Sequence, residues 1–489
     1  MSKLYIFIIL TIFTPTLLLI SVKLNSSSVK EFLEYNIYQQ HSNEVNIVLL
    51  GGKGLPKKGT VEYNSAAWTA VEQYGRRHLS TAHHSPALTF AAAGDVNTKI
   101  RSLGNLHFAQ ISVGTPPDSF MVAIDTGSDI SWLPCGCKNC PAYFLTDNED
   151  VKFLNSYDPK NSSTSAIISC ESPECWPKNQ CPAQSRKACP YEVTYGSSNT
   201  TSTKGILVKD VLHLETYDHK RQPRTAPIIF GCGMIETGEN LEEGAINGLL
   251  GLGFNTPLDV PGRLASKGLV PNSFSLCFGL DGKGRLAFGD KGSSDQMKTP
   301  IEQGSPGYYI RIERIGVDKI GTNVDFVALV DSGTSITQLN HEEYTILTKN
   351  FDSLVKDTRV ALTDQPRFQY CYTPSTNHTT HRTPSLTLKM KGGAYFDVIT
   401  PIVITTLPMG EPVYCLGIVE NQNIDVNVIG QNFMTGYRLV FDREKSIFGW
   451  KQSNCIAKEA NTIATSEASS ATMGGIVVIL LVSFSVTHI

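Results

Sequence analysis

Ala123-Ile124-Asp125-Thr126-Gly127-Ser128 returns 206 residues later as Leu329-Val330-Asp331-Ser332-Gly333-Thr334. Each copy is an apolar run, an Asp, a hydroxyl residue, a glycine and a second hydroxyl residue. The apolar run reads as a buried strand and the glycine as a tight turn, so each carboxylate sits on a loop at its strand's end with hydroxyls beside it. One such triplet would signify little, because Asp-Thr-Gly is also a common surface turn. Two copies are more specific, and each has a later apolar-apolar-Gly echo, Leu249-Leu250-Gly251 and Val428-Ile429-Gly430. The duplicated unit covers about 350 of the 489 residues.

Two carboxylates held about 3 Å apart cannot both ionise cheaply, so the pair keeps one proton across a wide acidic range. One member then draws a proton from an attacking water while the protonated partner donates to the developing oxyanion. This chemistry requires no metal and no cofactor. The paired Asp loops with their later glycines resemble the pepsin-type aspartic proteases. The resemblance implies an all-β, bilobal pepsin-like fold, two similar β lobes with the active-site cleft between them, and an endopeptidase that acts on polypeptide substrates as a monomer. It makes Asp125 and Asp331 the catalytic pair and Gly127 and Gly333 the loop turns. Ser128 and Thr334 would orient the carboxylates from outside, and Thr126 and Ser332 would tie the loops together across the lobe interface.

Upstream of the first loop, His107 to Val113 alternates as a strand, Gly114-Thr-Pro-Pro117 turns, and Ser119 to Ile124 leads into Asp125. Trp132 stands seven residues beyond Asp125, where the family's Trp hydrogen-bonds a Tyr on the flap, a hairpin that folds over the substrate. Tyr191 to Gly196, followed by Lys204 to Asp210, resembles that hairpin, with Tyr195 as the flap Tyr. The stretch Ser197 to Thr203 replaces the usual Gly-containing tip and includes a glycosylation sequon at Asn199; others stand at Asn161 and Asn377. Further on, Leu264 to Lys267 reads as a short helix. Phe274 to Phe278 and Gly284 to Gly289 are strand-like, Tyr308 to Val317 alternates strongly, and His341 to Phe351 suits an amphipathic helix. Many short strands with Gly turns and little helix give the same all-β, two-lobed class.

At 41% apolar content the chain can bury more than one core. A net charge of −3 and the lack of a basic patch interleaved with aromatics give no nucleic-acid footprint. All 12 cysteines lie between Cys135 and Cys455, which reads as six disulfides in an oxidising compartment. Cys135-x-Cys137-x-x-Cys140 also admits a zinc reading, which the compartment and the lack of nearby His disfavour. Seven cysteines fall in 135–189, a loop-rich run that resembles the cysteine-rich insertion of nepenthesin-like plant proteases.

The apolar N-terminus, 1–22, reads as a secretory signal peptide. Residues 23–103, cysteine-free and weakly patterned, read as a pro-segment, or alternatively as a disordered extension. The resemblance implies that such a segment covers the cleft and that its basic side chains pair with the catalytic carboxylates at neutral pH. The lobes are expected at 104–300 and 301–455, followed by a Ser/Thr/Ala linker at 456–473. The apolar tail 474–489 is shorter than a spanning helix and reads as a removable glycosylphosphatidylinositol (GPI) signal, placing the protein on the outer face of the plasma membrane. The competing reading is a catalytically weak or inactive binding or inhibitor protein on the same fold at the cell surface.

Overall fold

The computed structural model describes residues 106–455 apart from 140–142, 146–150, 154, 182–186, 196–200, 217–222, 239–244, 246, 255, 281, 363–366, 375–382, 408–410 and 422–425, together with the backbone of three strands near the N-terminus. The flap tip with Asn199, the sequon Asn377, and the expected linker and anchor signal lie outside the described residues. Of the expected signal peptide and pro-segment, only the backbone strands Tyr5–Leu10, Leu18–Lys23 and Leu33–Gln39 lie within them. Among the described residues no helix is long and apolar enough to cross a membrane.

The fold is built from short strands, as the alternating patterns require. His107–Val113 runs antiparallel to Asp118–Asp125, pairing Ile111 with Phe120 and Phe108 with Ala123. The last six residues of Asp118–Asp125 are all buried. An apolar run of that kind belongs to a strand covered on both faces, and Leu249–Gly251 lies parallel beside it. The second copy follows the same plan, with Ile320–Val330 parallel to Asn427–Ile429. In Tyr309–Val317, Ile310, Ile312, Ile315 and Val317 point into the core; a register slip between Ile312 and Arg314 keeps both halves of the strand in phase with it.

One large sheet starts at the flap, Pro190–Tyr195 and Thr201–Thr216, and passes through the first Asp strand. It continues through Leu33–Gln39 and Lys283–Phe288 to Ser273–Phe278. There it crosses into the other half of the chain, because Ser273–Phe278 pairs antiparallel with Tyr437–Asp442, Leu276 opposite Leu439. The second Asp strand lies in a separate sheet of seven strands. Aromatic rings fill the seam: Phe441 stacks on Phe274 and meets the edge of Tyr308, both at 4.7 Å between centroids. Each such buried ring contributes on the order of 2–3 kcal/mol of apolar transfer free energy.

The helix expected at Leu264–Lys267 begins a turn earlier, spanning Val260–Ser266. Asp259 caps it, accepting from Gly262 N at 2.6 Å, and Pro261 occupies its first turn. The amphipathic helix runs His341–Leu354 and buries Tyr344, Leu347, Thr348 and Phe351, one face at helical spacing.

Among the described residues five disulfides join Cys135 to Cys232, Cys170 to Cys181, Cys175 to Cys189, Cys277 to Cys455 and Cys371 to Cys415. The side chains of Cys137 and Cys140 lie outside the described residues. Cys135 leaves the cysteine-rich run and staples the strand after the first Asp loop to Pro223–Thr237, so it is not free to ligate zinc. The sulfurs of Cys170, Cys175 and Cys181 lie close together, yet each is already in a disulfide.

Candidate active site

The two Asp loops face each other. A Cβ placed on Gly127 would come within 2.7 Å of the Asp331 carboxyl, and one on Gly333 within 2.5 Å of the Asp125 carboxyl. Only glycine permits so close an approach at either position. Gly127 N donates to Asp125 Oδ1 at 2.7 Å and Gly333 N to Asp331 Oδ1 at 2.8 Å. Ser128 Oγ donates to Asp125 Oδ2, and Thr334 Oγ1 donates to Asp331 Oδ2 at 2.6 Å. Each inner oxygen is thus held by backbone and each outer oxygen by a hydroxyl.

Thr126 and Ser332 bind the loops reciprocally. Thr126 Oγ1 donates to Val330 O at 2.8 Å and accepts from Ser332 N at 2.9 Å; Ser332 Oγ donates to Ile124 O at 2.8 Å and accepts from Thr126 N at 3.1 Å. Four buried hydrogen bonds therefore fix the spacing of the carboxyls, and replacing Thr by Ser in the second loop leaves the pattern complete. Asp125 is 5% exposed. Burial holds its carboxyl well above the usual range, and the neighbouring Asp331 charge pushes it further the same way. The pair is built to retain a proton.

Trp132 Nε1 donates to Tyr195 Oη at 2.8 Å, as expected for the flap. Tyr195 also reaches Ser128, so the flap joins the hydroxyl that bonds Asp125. Burial, with Asp125's charge second, keeps the Tyr195 hydroxyl protonated. The hairpin pairs Tyr195 with Thr201 around the tip. Below it, Glu236 opposite Thr203 is 7% exposed, and its Oε1 has no hydrogen-bond partner among the described residues. Thr203 in turn bonds Tyr191 Oη at 2.9 Å. Burial pushes the Glu236 carboxyl up to about 7. Asn161 is exposed and far along the chain from both loops, in a turn where its N–H bonds Asp158 O.

Several functional neighbours were not foreseen. Ser131 Oγ accepts from Gly251 N at 3.0 Å and Thr337 Oγ1 from Gly430 N at 3.1 Å, fixing each echo glycine against its Asp strand. Their shared 206-residue offset is the signal that could have found them. Asp129, four residues after Asp125, lies beside a buried ion pair in which Arg443 Nη1 donates to Asp259 Oδ1 at 2.6 Å, with side chains 5% and 6% exposed. Burial raises the Asp129 carboxyl to about 6, Asp259 adds to the rise, and a hydrogen bond from the Phe254 backbone and the Arg443 charge oppose it. No periodicity or motif marks these residues.

Two family models match the chain, "Xylanase inhibitor N-terminal" over residues 107–290 and "Xylanase inhibitor C-terminal" over 307–452. "Aspartyl protease family protein 1" of Arabidopsis thaliana is 42% identical over 442 residues, covering 89% of this chain and 84% of the relative. "Aspartic proteinase nepenthesin-2" of Nepenthes gracilis is 24% identical over 392 residues, 74% of this chain and 81% of its own. Among solved structures, conglutin gamma, a basic 7S globulin from lupine seeds, shares the fold at a TM-score of 0.56 and 21% identity, over 71% of this chain and 92% of that one. With both halves matched and two complete, mutually locked Asp loops, the chain belongs to the pepsin-like aspartic protease family, alongside relatives that include nepenthesin.

Proposed function

We propose that the protein is an aspartic endopeptidase that hydrolyses peptide bonds in acid, with water as nucleophile between Asp125 and Asp331. The observation that carries this reading is the reciprocal packing of two complete Asp loops around a carboxyl that burial and a like charge keep protonated. With one proton shared, one carboxylate takes a proton from water as it attacks the scissile carbonyl, and the protonated partner donates to the carbonyl oxygen. As the C–N bond breaks, the proton taken from water passes to the leaving amine while the other carboxylate recovers a proton from a gem-diol hydroxyl, and the pair returns to its starting state with one proton. Tyr195, held by Trp132, closes the flap side and excludes bulk water. On this reading 1–22 directs secretion, 23–103 is a pro-segment, and the mature protein hangs from the cell surface by a lipid anchor.

A binding protein on the same scaffold is the second reading. It is favoured by the xylanase-inhibitor description of the matching family models and by a seed globulin among the structural neighbours. Incubation of the purified protein with denatured globin at about pH 3–6 separates the two. Cleavage that a transition-state peptide inhibitor blocks supports the protease. Absence of cleavage across that range, from protein freed of residues 23–103, supports the binder.

A further inference from the structure

The second Asp loop is backed by a hydrogen-bond chain with no counterpart behind the first loop among the described residues. His107, 1% exposed on the first strand of the N-terminal lobe, places Nδ1 2.9 Å from Oε1 of Gln431. Gln431 is fully buried at the start of the short helix Gln431–Met434, and its Nε2 donates to Ser332 O at 2.8 Å. A carbonyl oxygen can only accept, so this bond fixes which way the Gln431 amide points. Its own carbonyl then faces His107, and the same rule requires a proton on Nδ1, whatever the charge of the ring. The His107 ring is held in place by Phe278, 4.5 Å away between centroids.

The chain ends on a catalytic group. Ser332 O and Gly333 N–H belong to one peptide unit, and that N–H donates to Asp331 Oδ1 at 2.8 Å. Drawing electron density from the carbonyl side of a peptide makes its N–H a stronger donor. Gln431 N also donates to Thr334 O at 2.8 Å, so the residue grips the loop on both sides of Gly333. In the first loop Gly127 N makes the matching bond to Asp125, but the residue after the echo glycine is Leu252, fully buried and apolar. It has no side-chain donor to offer the Thr126 carbonyl.

We propose that His107, acting through Gln431, is a positioning residue that strengthens the amide donor to Asp331 and so holds the pair's shared proton on Asp125. Its effect on turnover rests on the protease reading; the division of the proton is a property of the folded protein and does not. The test is carboxyl-carbon NMR titration of the full chain labelled with carbon-13 at Asp, in wild type, His107→Phe, Gln431→Met and His107→Asn. The Phe and Met variants should change the gap between the Asp125 and Asp331 titrations by about 0.5 in pH, roughly threefold in proton partition. His107→Asn keeps an N–H donor close to the place of Nδ1 and should restore the wild-type gap. On a peptide substrate the first two variants should lower kcat about tenfold with KM within about twofold. Gln431→Met matches glutamine in length and carries the test if His107→Phe does not fold. Titrations unchanged in the Phe and Met variants overturn the relay, even where packing damage lowers kcat. A wild type that titrates as described but cleaves nothing sustains the relay and overturns the protease reading instead.

Discussion

Replacing Glu236 by Gln should stabilise the protein at neutral pH and leave it unchanged in acid. The side chain is 7% exposed under the flap strands, and its Oε1 has no partner among the described residues. Burial raises its carboxyl from an ordinary 4.5 to about 7. The folded state therefore binds the proton more tightly than the unfolded state. Below about pH 4.5 both states are protonated and folding loses nothing. Between 4.5 and about 7 the unfolded chain ionises first and stability drains away; above about 7 the loss is complete. A gap of about 2.5 pH units at about 1.36 kcal/mol each gives roughly 3 kcal/mol. Glutamine preserves the shape and neutrality of the protonated acid, so the variant should regain up to that amount at pH 7.5. At about 2–4 °C per kcal/mol for a lobe-sized unit, the melting temperature should rise by roughly 6–12 °C. Calorimetry of both proteins at pH 4 and 7.5 reads the difference. An equal shift at both pH values, or destabilisation at 7.5, would refute the reasoning.

Asp125→Asn and Asp331→Asn should each lower kcat by at least about a thousandfold on a peptide substrate while circular dichroism and melting temperature stay near wild type. Wild-type activity should fall as pH rises through the point where the pair loses its shared proton, since burial and Asp331's charge hold Asp125 protonated only up to there; full turnover at pH 8 would contradict this. Arg443→Leu strips its cationic partner from the buried Asp259 and the nearby cation from Asp129, and should cost about 3–5 kcal/mol in urea unfolding. Adding Asp259→Asn, which removes the unpaired charge but can still cap the helix, should recover part of that loss, and no recovery would show that the guanidinium acts through packing alone. Finally, phosphatidylinositol-specific phospholipase C should release the protein from intact cells; protein that stays bound, or still contains 474–489, would exclude the lipid anchor.

The sequence makes the candidate centre legible because the centre is local. Asp125, Thr126, Gly127 and Ser128 form one loop, their counterparts form another, and the same residue types recur at one offset, so the roles can be read before the partners are known. Tyr195 and Trp132 are legible by resemblance, and the strand at Tyr309–Val317 by its alternation. The helix at Val260–Ser266 starts earlier than the apolar pattern suggests, although Asp259 and Pro261 already carry its start signal. What escapes is chemistry created by burial. Glu236, Asp129, Arg443 and His107 look like ordinary surface residues in a string, and only the packing of distant strands around them makes their charges costly or directed. Cys135 escapes for a related reason: its partner, Cys232, is decided by the parallel pairing of Trp132–Asn139 with Pro223–Thr237, which no cysteine spacing encodes.

The shared sheet sets an order of events during synthesis. Ser273 pairs with Asp442, and Cys277 with Cys455 across a separation of 178 residues. The Thr126–Ser332 lock likewise joins loops 206 residues apart. At about 5–20 residues per second, roughly 15–60 s pass between the emergence of Asp125 and that of Asp442. For roughly the last 8–33 s of it, once Phe278 has emerged, the first lobe exposes the apolar edge of Ser273–Phe278, a template on which a neighbouring nascent chain could pair. The facing carboxyls also cannot yet exist as a pair, because half of their scaffold is unmade. A growing chain therefore carries no assembled centre, and the centre forms only as its last strands seal the seam.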